Sequence, residues 1–173
     1  MRARHVLFFV AGCIALAANA DATPQGFKSG SVVLYQPDAP LSARLSSDAE
    51  LASYIKRLEA ACTAFFASEN APEQLDVVVG LKPAKKVRVW FVSSRRSSQD
   101  KSLRALRTKL EAIPPCEVHS GPVAFALCCT IAGASPRKDK EPYQPPMPKE
   151  WRDATAGKDV LVPDGIFERI WRD

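Results

Sequence analysis

Four cysteines and one histidine in the body of the chain are the residues best suited to chemistry: Cys62, Cys116, Cys128, Cys129 and His119. A thiol close to an imidazole, as Cys116 is to His119, is the raw material of a nucleophilic pair. The same residue types could hold a metal ion. No Cys-x-x-Cys spacing occurs, however, and only His119 could assist, so no metal is expected. How the thiols behave depends on the compartment in which the chain works.

The first twenty residues bear on that question. Met1-Arg-Ala-Arg-His5 is a positive start, Val6 to Ala18 is a short apolar run, and Ala18-Asn19-Ala20 offers small residues for a signal peptidase. The expectation is an exported protein, periplasmic or secreted, with a signal peptide over residues 1–20 cleaved near Ala20. The minority alternative is a lipoprotein anchored at Cys13, from Val10-Ala-Gly-Cys13. Against it, Ile14 to Ala18 continues the apolar run where such a segment turns polar. In an exported chain an even number of cysteines reads as a disulfide framework. Joining Cys128 to Cys129 would close a strained ring within a strand. The expected pairing is therefore Cys62 with one of the two and Cys116 with the other.

Enzymatic constellations are otherwise missing from the sequence. Glu141 and Glu150 are carboxylates in a Pro-rich stretch, with nothing to hold them in a geometry. There is no Gly-rich phosphate loop, Gly-x-Ser-x-Gly or His-Glu-x-x-His. The chain reads as non-enzymatic and without a cofactor, and an enzyme would need a site outside these motifs. Arg88 and Trp90 beside a basic helix suggest an RNA-binding sheet, but one aromatic falls short of the stacking pair such sheets use. No nucleic acid is expected.

Charge offers the better candidate. Removing Arg2 and Arg4 from the 24 basic residues leaves 22 against 19 acidic ones. The excess is concentrated: residues 82–109 carry ten Lys or Arg and only Asp100 as an acid. Lys82, Lys85 and Lys86 fall in a turn, Arg88 on a strand with Trp90, and Arg95 and Arg96 before a helix. Lys101, Arg104, Arg107 and Lys109 lie on that helix. Such a face could meet an acidic protein, anionic lipid or lipopolysaccharide, or simply keep the surface solvated.

These residues need elements to position them. Ser31 to Tyr35 is a short strand ended by Pro37 and Pro40. Ser47-Asp-Ala-Glu50 has the form of a capping box, and Leu51, Ile55, Leu58, Cys62 and Phe65 then share a helical stripe that ends near Glu69. Leu75 to Leu81 and Val87 to Ser93 form a hairpin around Lys82-Pro-Ala-Lys-Lys86. Ser97 or Ser98 can cap a helix with Leu103, Leu106, Leu110 and Ile113 on one side, stopped by Pro114-Pro115. Val123 to Ile131 is a strand with large residues on one face and Ala124, Ala126, Cys128 and Thr130 on the other. The order β-α-β-β-α-β indicates an α+β domain, residues 21–133. The expected form is a ferredoxin-like split βαβ antiparallel sheet with two helices on one face. A Pro-rich linker follows over 134–150, then a tail over 151–173 with a short helix bearing Phe167, Ile170 and Trp171. This tail is expected to fold back over the open sheet face.

Residues 75–133, with their apolar hairpin, Ser93-Ser94, the helix Leu103–Ile113, Pro114-Pro115 and the last strand, resemble the C-terminal domain of the TonB/TolA family of envelope energy transducers. The hairpin turn lacks the Asp-Gly such turns often carry, and the Pro-rich stretch follows the domain. The resemblance implies a periplasmic domain that binds another envelope protein by adding a strand at an open sheet edge.

Overall fold

The computed structural model describes residues 26–136, 145–156 and 163–171. The leader, Cys13 and Glu141 lie outside the described residues. The first strand, β1 (Phe27–Leu34), begins before the expected Ser31. Pro37 and Pro40 end it and also start a helix, α1 (Asp38–Arg44). A proline in a first helical turn gives up an N–H that had no intrahelical partner.

The second helix, α2 (Asp48–Phe65), starts as its sequence directs. The Ser47 hydroxyl accepts from the Ala49 N–H at 3.1 Å, and Asp48 and Glu50 sit in the positive first turn. Its buried stripe is Leu51, Tyr54, Leu58 and Cys62, turned slightly from the expected one so that Tyr54 replaces Ile55. The hairpin of β2 (Glu73–Lys82) and β3 (Lys86–Ser93) pairs from Leu75↔Ser93 to Lys82↔Lys86. The next helix, α3 (Lys101–Glu111), is capped by Asp100 and not by Ser97 or Ser98. Asp100 Oδ1 accepts from the Ser102 N–H at 2.8 Å and the Leu103 N–H at 3.2 Å, two donors that a serine further back could not reach. The last strand is β4 (Val123–Ile131).

The four strands form one antiparallel sheet in the order β1-β4-β2-β3. The class is α+β. In a ferredoxin-like sheet the first strand is interior and the last lies at an edge; here β4 is interior and β1 is the edge. The strands β1 and β2 flank β4, and β3 and β4 flank β2, so each crossing is split around one strand. The observed order is the one obtained by tracing the ferredoxin-like path from its other end.

The helices α1, α2 and α3 cover one face, where Leu41, Tyr54, Leu58, Leu106 and Leu110 meet Val77, Val79, Phe125 and Leu127. The small-residue face of β4 is covered by α4 (Lys149–Thr155) and α5 (Pro163–Ile170). The helix α4 begins inside the stretch read as linker. Trp151, Ile166 and Phe167 are buried against Val78, Trp90, Ala124 and Ala126, so the tail does fold back on the sheet. Charge holds its far end: Asp164 takes both Nη groups of Arg44, at 2.7 and 2.9 Å.

One residue makes this docking possible. A Cβ on Gly80 of β2 would lie 2.5 Å from Phe167 Cζ and 3.0 Å from the Trp90 ring. Gly80→Ala is therefore expected to cost about 1–3 kcal/mol by overpacking, measured by denaturant unfolding. In a Phe167→Ala background that loss should vanish; an equal loss there would mean the conflict lies elsewhere.

Candidate interaction surface

The basic residues chosen from sequence do not form one face. Lys82 and Arg88 turn toward the tail. Lys82 Nζ donates to the Trp171 carbonyl and lies 5.1 Å from the centre of its ring. Arg88 donates to the Ile170 carbonyl at 2.8 Å and lies 5.7 Å over Trp90. Both cations thus meet the carbonyl end of α5, where positive charge is favourable. Arg107 is half-buried over Phe91 and Lys109 lies over Phe65. Lys85, Lys86, Arg95, Lys101 and Arg104 are exposed.

Two of the selected residues are mostly withdrawn from the surface. Trp90 is only 4% exposed, because Trp151, Phe167 and Trp171 close around it with ring centres 5.3, 5.6 and 6.2 Å away. It belongs to the second core under the tail. Arg96 is mostly buried: its guanidinium pairs with Glu69 and, at 2.8 Å, with Glu73, whose side chain is fully buried. The Ser93 hydroxyl donates to the other oxygen of Glu73, and Phe66 stacks under Arg96 at 5.5 Å. A shallow cavity of about 150 Å³ beside this cluster is lined by Phe65, Phe66, Ser68, Glu69, Arg96 and Ser102. Its charges are paired with one another, although Arg96 Nη1 and Glu73 Oε2 meet as an ion pair without hydrogen-bond geometry.

The cysteines also depart from expectation. No disulfide joins any two of Cys62, Cys116, Cys128 and Cys129. Cys62 and Cys129 are buried in the helix-side core, whereas Cys128 is on the opposite face of β4. Cys116 interacts with Tyr54 in the first half of α2, whereas Cys129 interacts with Cys62 two turns further on. Burial pushes the Cys62 thiol up to about 12, and raises those of Cys129 and Cys116 as well. Thiols held protonated are poor nucleophiles. A thiol reagent at neutral pH is expected to leave Cys62, Cys116 and Cys129 unmodified in the native protein and to react with all three after denaturation. Rapid native labelling of Cys62 would contradict its burial.

His119 finds a serine rather than Cys116. Its Nε2 lies 2.7 Å from Ser46 Oγ, and its backbone N–H donates to the Arg44 carbonyl at 2.9 Å. Both side chains are exposed. The contact fastens the connection between α1 and α2 to the segment before β4, beside the bridge Leu45↔Val118. Glu150 lies in the first turn of α4. Among the described residues no group of three or more His, Cys, Asp or Glu is gathered as a metal site.

The feature the residue selection missed is a contrast between the two sheet edges. On the outer edge of β3 the Val89 N–H donates to Glu111 of α3 at 2.9 Å, and Lys86 and Arg88 add charge. A covered N–H and nearby charge are two of the ways proteins protect edges. On β1 the Tyr35 N–H that follows the strand donates inward to Ala124 at 3.1 Å, so by alternation Val32 and Leu34 point N–H and C=O away from the sheet. Their side chains are 41% and 40% exposed, the large apolar residues left open among those described. Ser29 to Leu34 carries no charge and no proline. Gly30 marks an irregularity in the pairing with β4 between Ser29 and Ser31, and a Cβ there would lie 2.9 Å from the Cys128 carbonyl oxygen. The apolar run Val32-Val33-Leu34 was visible in the sequence, but which strand would be an edge was not. No protein-family model, curated protein or solved structure matches the chain.

Proposed function

We propose that this chain is a non-enzymatic protein-binding module of a bacterial cell envelope, exported and processed near Ala20, which takes an added strand on the outer edge of β1. The observation that carries the reading is the unequal treatment of the two edges: β3 has its Val89 N–H taken by Glu111 and charged residues beside it, and among the described residues β1 has no such cover, with Val32 and Leu34 exposed. Strand addition uses such an edge, with main-chain hydrogen bonds supplying affinity and alternate side chains supplying choice. The resemblance of residues 75–133 to the C-terminal domains of the TonB/TolA family points the same way. The docked tail supports it too, since it occupies the sheet face and leaves the edge as the available backbone.

Anionic lipid or lipopolysaccharide is the alternative ligand, served by the exposed Lys85, Arg95, Lys101 and Arg104. It predicts vesicle binding that weakens steeply with salt.

The test is photocrosslinking in intact cells from a reactive residue placed at Leu34 or, as control, at Arg88. A discrete protein product from position 34 and none from position 88 is expected. The absence of any product from position 34 would overturn the reading.

A further inference from the structure

We infer that Cys62 and Cys129 are a thiol pair placed to close into a disulfide, tying α2 to the interior strand β4 and leaving Cys116 and Cys128 as thiols. The structure holds the pair in its reduced form. Three contacts fix how α2 lies along β4. Tyr54 meets Phe125 edge-on, with ring centres 6.3 Å apart. Further along the helix, Glu59 accepts the hydroxyl of Ser29, the residue opposite Cys129. Just past its end, Phe66 stacks on Phe27, the residue opposite Ile131. Cys62 falls between the last two contacts and so stands at the level of Cys129 to Ile131. The lengths agree. From Tyr54 to Cys62 the helix advances about 12 Å, and from Phe125 to Cys129 the strand advances about 13 Å. Both side chains belong to the helix-side core, Cys62 fully buried and Cys129 4% exposed. Among charges, Cys129 feels Cys62 ahead of Cys128, its own chain neighbour.

The other two thiols stand apart from this pair. Cys128 points from the opposite face of β4, in a row with Ser31 and Asp76, and Cys116 keeps to Tyr54. Closing the bridge needs an oxidant, which a small-molecule or protein disulfide supplies by thiol–disulfide exchange. One cysteine, as thiolate, attacks the S–S bond of the oxidant and releases its first thiol. The second cysteine attacks the mixed disulfide, closes the bridge and releases the other thiol. Two electrons pass from the pair to the oxidant, and the two protons go to the departing thiolates. Burial holds both cysteines protonated in the folded chain, so the exchange belongs to the period before the core closes. Export as proposed above would bring the chain to such an oxidant. The pairing itself rests on position and is independent of what the β1 edge binds.

Refolding the denatured, reduced protein in a mixture of oxidised and reduced glutathione tests this. Remaining thiols are alkylated and the wild type is mapped by tandem mass spectrometry. A bridge from Cys62 to Cys129 is expected, with Cys116 and Cys128 alkylated. Cys129→Ala should abolish the bridge and Cys128→Ala should leave it intact. Circular dichroism under reductant shows whether each variant folds, and the wild-type map decides the pairing even where one does not. The bridged form should melt roughly 10 °C above the reduced form, because the crosslink joins distant positions in the chain. After denaturation a thiol reagent should reach only Cys116 and Cys128 in the bridged form, whereas in the reduced form it reaches Cys62 and Cys129 too. A bridge through Cys116 or Cys128 overturns the inference, as do four unbridged cysteines or glutathione adducts alone. A bridged form that melts no higher than the reduced one does so as well. None of these results bears on strand addition at β1.

Discussion

Arg96→Ala is expected to remove about 3–5 kcal/mol of stability, the cost of leaving a buried carboxylate without its counter-charge. Glu73 opens β2 with its side chain fully buried, and once Arg96 is gone only the Ser93 hydroxyl remains as a partner. The loss is magnified because the cluster joins four places in the chain. Glu69 lies in the connection after α2, Glu73 starts β2, Ser93 ends β3, and Arg96 leads toward α3. Ser93 Oγ also accepts from the backbone N–H groups of Arg95 and Arg96, so one hydroxyl fixes the departure of the chain from the sheet. Thermal and denaturant unfolding would read the effect, with a fall in Tm of roughly 10 °C or more. Arg96→Met with Glu73→Gln should recover much of it, because a neutral pair carries no desolvated charge. A loss below about 1 kcal/mol for Arg96→Ala would mean that Glu73 is solvated after all. Glu69 adds a pH dependence. Its carboxyl is held below the usual range, first by the Ala71 N–H and then by Arg96. Its contribution is therefore complete above about pH 4.3 and fades as pH falls through the lowered value.

Trp151→Ala should be as damaging, at about 3–5 kcal/mol. The indole is fully buried, with Tyr35, Trp90 and Phe167 at 5.2, 5.3 and 5.3 Å between ring centres. Removing it leaves a large void in the middle of the second core, where the small residues Ala124 and Ala126 cannot expand to fill it. Protease cleavage at Arg152 and Arg169 should then run ahead of global unfolding, because the tail can open by itself. Trp151→Phe should lose less. It keeps an aromatic ring and discards an indole N–H that is buried without a hydrogen-bond partner. A Trp151→Ala protein as stable and as protease-resistant as wild type would show the tail to be a loose covering.

The strands and main helices were legible because their apolar periodicities are strong, and the covered sheet face followed from the small side chains of β4. Strand order was not legible, for a formal reason. The string β-α-β-β-α-β reads the same from either end, so linear order cannot distinguish this sheet from the ferredoxin-like one. The first helix was hidden because Pro37 and Pro40 signal the end of a strand as well as the first turn of a helix. The basic run was misleading because contiguity in sequence is not contiguity in space: Lys82 and Arg88 reach the tail, and Arg96 goes inside. The disulfides were inferred from cysteine count and export, and neither speaks to distance. Cys116 and Cys129 are thirteen positions apart in sequence and interact with different turns of α2, at Tyr54 and Cys62.

The interior place of β4 has a consequence for how the chain acquires its shape. It is the last strand in sequence, yet it alone joins β1 to the rest of the sheet, in a register that pairs Phe27 with Ile131. Until residues near 131 are available, β1 has no strand beside it, and only the β2–β3 hairpin can form locally. Assembly must wait for a contact between the two ends of the domain, the kind of long-range closure that makes folding slow. The export proposed above would make use of such a delay.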